Sequence, residues 1–319
     1  MMSAMAAEEP GGPETRERHP AEGEWRADPL ARSLHSRLDQ EIRPPEEDYD
    51  EERATELCAA LCRSLLGDFA PAVLLLAAPE RRRVQALVAH IHTLFDFARQ
   101  HGVEGERLAQ INRWEFTLDS ALSGQKVGQP IFVAMSRENA LRPWPEEALL
   151  EITACARRRA MRPRPASPRE AEVETERLAR AAATAVLGRE PAQELAAFGG
   201  ALLRLYALQN LGPETGRNRC PLAVSELAID FDAPPHPREL LAAAQRECQR
   251  LRPRLLRAPR GLVELTSRYR RAAVFSLLAA LKLLILIEDG DTGLLASPPR
   301  LGLLARLGLL ARARWVRLS

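Results

Sequence analysis

Leucines at 57, 61 and 65 stand one helical turn apart, and this stripe predicts a helix over Glu51–Leu66. Pro79 then falls where a proline starts a helix, and Glu80 follows in the first turn. Apolar positions at Val84, Leu87, Val88, Ile91 and Phe95 carry that second helix towards Gly102. The same reasoning gives helices over 106–122, stopped by Gly124, and from Trp144-Pro145-Glu146 to about 159. Others follow over 169–187, ended by Gly188, then 191–211, 237–256, 262–287 and 299–315. The stretch 161–169 alternates proline with arginine and reads as a loop. No segment of convincing length has the period of a strand, and no repeat of 34 to 47 residues recurs. The expected fold is all-α and compact.

Composition agrees with helix. Of 319 residues, 46% are apolar and only 5% aromatic, so straight side chains dominate and β-branched runs are few. Residues 1–49 are rich in Pro, Gly, Glu and Arg without periodicity; they are expected to form a disordered arm, with the folded domain over 50–319. Lys+Arg 45 against Asp+Glu 43 leaves a net charge of +2, which gives no field suited to nucleic acid. The five cysteines, at 58, 62, 155, 220 and 248, lack a second Cys or His pair at zinc spacing and read as buried free thiols. The first residues lack the apolar core of a secretory signal. The apolar run 272–287 contains Lys282 and is short of the ~20 residues a bilayer needs. A cytoplasmic location is expected. Arg300, Arg306 and Arg312 in the tail fall about 120° apart on a helical wheel, so that helix should pack on the domain, with weak peripheral membrane association left open at Trp315.

Several residues carry potential chemistry. Asp96 stands between Phe95 and Phe97, with Arg99 and Gln100 one turn on. His90 and His92 are two apart on a helix and point away from each other, so they cannot chelate one ion together; His101 lies further on. The arginines at 157, 158, 159, 162 and 164 could meet an acidic partner or anionic headgroups, or form a solvated loop.

The run CRSLLGDFAPAVLLLAAPERRRVQALVAH (62–90) resembles the opening of the squalene/phytoene synthases, where a Pro-x-x-x-Arg turn enters the helix of the first aspartate-rich motif. ALQNLGPETGRNRCPLAVSEL (207–227) is similar to the second motif, with a trailing element at Gly216, Arg217 and Cys220-Pro221-Leu222. The segment ending in Asp289-Gly290-Asp291 resembles the closing helix, so the likeness covers most of 58–315 in order. It implies an isoprenoid synthase-type helical bundle around a central apolar cavity. In that family two acidic motifs hold magnesium, which neutralises a departing diphosphate. Measured against that pattern, Asp96 is the surviving acid of the first motif, and Arg99 and Gln100 stand where a second is expected. The second motif reduces to Asn210, Glu214 and Asn218, and Arg63 and Ser64 correspond to diphosphate contacts. Gly212-Pro213 is expected to end the helix near Leu211 and to turn Glu214 off the inward face. Some relatives of that family have lost the acids as well, among them an assembly factor of a mitochondrial respiratory complex.

Two functions follow. The first is a non-catalytic binding or assembly scaffold that needs no metal, with an apolar or prenyl ligand or a protein as partner. The alternative is a divergent prenyltransferase using Mg²⁺ with Asp96, Glu214 and acids elsewhere. The placement of Arg99 decides between them: a guanidinium across the mouth disfavours the enzyme, and Asp96 facing other carboxylates favours it.

Overall fold

The computed structural model describes residues 50–100, 102–215, 220–227 and 236–315. The expected N-terminal arm, His101, Arg217 and Asn218 lie outside them. The described chain is all-α, as the periodicity predicts, with no strand among the described residues. Thirteen helices are described: α1 Glu51–Leu66, α2 Ala70–Leu74, α3 Ala78–Arg99, α4 Glu104–Leu122, α5 Pro130–Leu141, α6 Glu146–Met161 and α7 Pro168–Leu187, then α8 Gln193–Gln209, α9 Leu211–Thr215, α10 Pro237–Leu262, α11 Ser267–Glu288, α12 Gly293–Ala296 and α13 Leu303–Trp315.

Local chemistry sets the ends of these helices. The Asp50 carboxylate accepts from Arg53 N at 2.7 Å and caps α1. Ser167 caps α7 in the same way, at 3.2 Å from Glu170 N, and Gly188 closes that helix in the left-handed region at φ 74°. Gly67, at φ 51°, bends the chain out of α1 into a short 3₁₀ turn, Gly67–Phe69, and then α2. The stretch Glu51–Leu74 is long and apolar enough to cross a membrane by length and composition. In this fold it is broken at that bend and buries Ala54, Cys58 and Leu61 in the domain.

Two apolar cores result. Helices α1 and α3 to α7 close around Leu94, Ile111, Trp114, Phe132, Met135 and Ile152. Helices α8, α10, α11 and α13 close around Leu205, Leu251, Leu255, Phe275 and Leu283. The α7–α8 pair joins the halves, α3 lies against α7, and α2 lies against α11. At the first core's edge the Arg83 guanidinium, 3% exposed, donates to the carbonyls of Arg142 (2.6 Å), Pro143 (3.2 Å) and Ala185 (3.0 Å). It also lies 3.6 Å from the centre of the Trp144 ring. One side chain thus ties α3 to the α5–α6 connection and to the end of α7.

Helix α6 extends to Met161 and takes in Arg157, Arg158 and Arg159. The arginine cluster is paired with carboxylates: Arg157 with Glu115, Arg158 with Glu151 at 2.6 Å, Arg159 with Glu174 at 3.0 Å and the exposed Arg162 with Glu170 at 3.4 Å. Arg164 donates to the Leu222 carbonyl. The last helix docks through Leu309 and Ala313, but it leaves Leu303, Leu304, Leu307 and Trp315 exposed, so only part of it packs as the wheel predicts.

Candidate functional site

Helix α3 delivers the first motif. Leu94, Phe95, Phe97 and Ala98 are buried on its core side, which leaves Asp96 half-buried between them and Arg99 as the last helical residue. Gln100 is the C-cap, with extended backbone, and donates through its N–H to the Phe97 carbonyl at 3.3 Å. The Arg99 guanidinium lies 5.8 Å from the Phe95 ring centre, and its Nη1 is 3.6 Å from Glu214 Oε2. The ends of the two motif segments therefore meet through an arginine and a glutamate.

Glu214 reaches that position because the helix break differs from the expected one. Helix α8 ends at Gln209, and Asn210 is its C-cap, with its Nδ2 donating to the Tyr206 carbonyl at 2.9 Å. A new helix, α9, starts at Leu211, and Glu214 N donates to Asn210 O at 3.0 Å. Pro213 thus falls in a first turn, where its missing N–H would have had no partner. The helix therefore breaks at Gln209, before the expected end near Leu211, and Glu214 is half-buried and faces Arg99, whose side chain is exposed at the end of α3. Gly212 makes the turn fit, because a Cβ built there would fall 1.8 Å from the Leu295 carbonyl oxygen on α12.

Tyr206, one turn before Asn210, completes the neighbourhood. Burial raises its phenol pKa, Arg99 and Arg300 act to lower it, and Glu214 acts to raise it. Behind it, arginine–carboxylate pairs occupy the space between α7, α8 and α10. Arg204 pairs with Glu247 at 2.6 Å, Arg250 bridges Glu247 and Glu226, and Arg254 pairs with Glu172 and Glu176. The cavity left there is about 20 Å³, room for about one water molecule.

Sequence reasoning missed Asp68. Its carboxylate is fully buried, 2.6 Å from Arg306 Nη2 on α13, and accepts from Gln209 Nε2 at 2.6 Å. Gln209 also donates to the Pro299 carbonyl at 2.8 Å. The 3₁₀ turn, the end of α8 and the C-terminal segment are thereby tied together beside the motif junction. An acid inside the apolar run LLGDFAPAVLLL was the available signal.

The other sequence candidates are not gathered at this junction. Arg63 and Ser64 are exposed on α1, and Arg63 borders a cavity between α1, α2 and α3 that includes none of the motif residues. His90 is fully buried and its Nδ1 accepts from Trp114 Nε1 at 3.1 Å. Among the described residues no three Asp, Glu, His or Cys side chains are placed to hold a metal ion.

The all-α fold of the described chain is shared with solved structures that include a dehydrosqualene synthase and a squalene synthase. A dehydrosqualene synthase in complex with ligand superposes with a TM-score of 0.63 at 15% identity, over 83% of this chain and 98% of its own. The squalene synthase HpnC from Alicyclobacillus acidocaldarius gives 0.57 at 18% identity, over 73% and 92%. YisP from Bacillus subtilis subsp. subtilis strain 168 gives 0.56 at 13% identity, over 83% and 99%. Identities this low establish a shared fold. Neither a protein-family profile nor a curated protein sequence matches the chain.

Proposed function

We propose that this chain uses a squalene-synthase-like bundle as a binding or assembly scaffold and does not carry out magnesium-dependent prenyl transfer. One observation carries the reading: Arg99 Nη1 lies 3.6 Å from Glu214 Oε2, across the junction of the two motif segments. A carboxylate held by a guanidinium is a poor ligand for Mg²⁺, and the fixed positive charge opposes a divalent cation beside it. The described residues therefore do not fit a magnesium cage, and no step is routed through one. Without preorganised charge to stabilise departing diphosphate, turnover falls by a factor on the order of 10² or more for each lost group. What such a bundle keeps is a rigid surface for a protein partner or a small apolar ligand, since the cavity of about 20 Å³ between α7, α8 and α10 has no room for a prenyl chain.

The test is to incubate the purified full chain with farnesyl or geranylgeranyl diphosphate and Mg²⁺, measuring diphosphate release and ligand binding separately. The expected outcome is no release that depends on metal. Metal-dependent release that disappears in Asp96→Ala would overturn the proposal and establish the divergent prenyltransferase.

A further inference from the structure

Away from the motif junction, α1, α2 and α3 enclose a cavity of about 200 Å³ that opens to solvent. Its apolar wall is built from Ala59, Cys62 and Val73, and no acidic side chain lines it. Three polar residues line this space. The Gln85 amide, 6% exposed, makes no hydrogen bond to another described residue. Arg81 Nε is buried and unbonded, and its Nη2 reaches only the Leu76 carbonyl at a long 3.4 Å. Arg63, at the rim, has no hydrogen bond or ion pair among the described residues.

The cavity is open to solvent and water hydrates the Gln85 amide there, so the lining calls for a ligand through its charge, and Arg81 Nε is a buried donor of the kind folded proteins seldom leave unpaired. Two guanidiniums with no carboxylate among the lining residues select an anion, and the planar fork of arginine suits the two oxygens of a carboxylate or phosphate. The wall of Ala, Cys and Val selects an apolar body next to that head. An apolar cavity of about 150 Å³ accommodates benzene, so about 200 Å³ has room for roughly eight non-hydrogen atoms.

We propose that this cavity binds a small amphipathic anion, with its acidic head between Arg63, Arg81 and Gln85 and its short apolar body against Ala59, Cys62 and Val73. Neither Arg99 nor Glu214 lines the cavity.

Calorimetric titration of the full chain with hexanoate, hexyl phosphate, hexanol and inorganic phosphate tests this. The two amphiphilic anions should bind saturably with one site per chain, and comparing them shows whether the head is a carboxylate or a phosphate. Hexanol and inorganic phosphate, each lacking one half of the ligand, should bind at least about tenfold more weakly. Arg81→Met should weaken the better anion by about tenfold to a hundredfold, the effect of one charge-assisted hydrogen bond. Arg63→Ala, at an exposed rim position, keeps the fold intact and should weaken it several-fold. Ala59→Phe, which fills the space, should abolish binding while far-UV circular dichroism stays unchanged. Hexanol binding as tightly as hexanoate would overturn the proposal, as would affinity unchanged in both Arg63→Ala and Arg81→Met, or no saturable binding of either anion.

Discussion

His90 offers a quantitative test of the α3–α4 interface. It is fully buried, and Trp114 Nε1 donates to its Nδ1 at 3.1 Å, which places the ring proton on Nε2 and keeps the imidazole neutral. Trp114 in turn packs against Phe97 and Phe132. A charged ring there would have lost its water, and burial pulls its pKa from 6.5 down to about 3. Because the folded value lies below the unfolded one, the unfolded chain binds the extra proton between those two pH values. Stability is therefore lost as pH falls below about 6.5, and the loss saturates near pH 3. The slope is about 1.4 kcal/mol per pH unit, so at about pH 4.5 this one group has removed about 2.7 kcal/mol. That is a large share of the roughly 5–15 kcal/mol that stabilises a domain. His90→Asn keeps an acceptor for Trp114 but does not titrate. It lowers stability at neutral pH through lost volume, yet its acid limb should be shallower by about one proton. Glu80 and Glu226, where the opposing effect of burial is outweighed by hydrogen bonds and arginine charge, lose stability at lower pH in both proteins and cancel. Urea unfolding followed by circular dichroism at about pH 7, 5.5 and 4.5 measures the difference. Parallel slopes for the two proteins would refute a buried neutral imidazole.

Three further outcomes follow from the packing. Arg83→Met leaves the carbonyls of Arg142, Pro143 and Ala185 without their donor, so it should cost about 3 kcal/mol or more in urea unfolding, and Arg83→Lys should recover only part of that. Gly212→Ala places a methyl where the Leu295 carbonyl oxygen already sits, so α9 must lift off α12; hydrogen exchange over 211–215 should accelerate markedly, and unchanged protection would contradict the packing. Burial pushes the thiols of Cys58 and Cys248 up to about 12, so they should resist a disulfide reagent at about pH 8 in the folded chain and react at once in denaturant.

Helical periodicity revealed most of the fold, and its failures have identifiable causes. Helix α1 matches its leucine stripe end to end. Helix α5 was invisible because its cap is Gln129, whose Oε1 accepts from Ile131 N at 2.7 Å and Phe132 N at 3.2 Å, and glutamine is not among the usual N-cap residues. Helix α10 runs six residues past the expected stop at Leu256, through Pro253 and Pro259, to Leu262. Its buried stripe of Leu251, Leu255, Ala258 and Leu262 continues across both prolines, and the packing of that face outweighs the lost backbone bonds.

The candidate site was half legible for a different reason. Each motif could be read for what it lacks, but a sequence read one segment at a time does not show which residues are partners across space. Arg99 reads as a missing acid and Glu214 as a stranded one; in three dimensions they compensate each other at 3.6 Å. Asp68 and Arg306, 238 positions apart in the chain, make a second such pair, with the acid fully buried. Breaking a buried pair by removing one member costs about 3–5 kcal/mol, because the other charge is left without compensation. Placing an acid there, as in Arg99→Asp, replaces the guanidinium that Glu214 faces with a second negative charge, so the single substitution should lower stability unless a divalent cation is supplied. A thermal unfolding temperature of Arg99→Asp that rises with Mg²⁺ would show that this junction can hold a metal once a second acid is present, whereas a temperature indifferent to Mg²⁺ would show that it cannot.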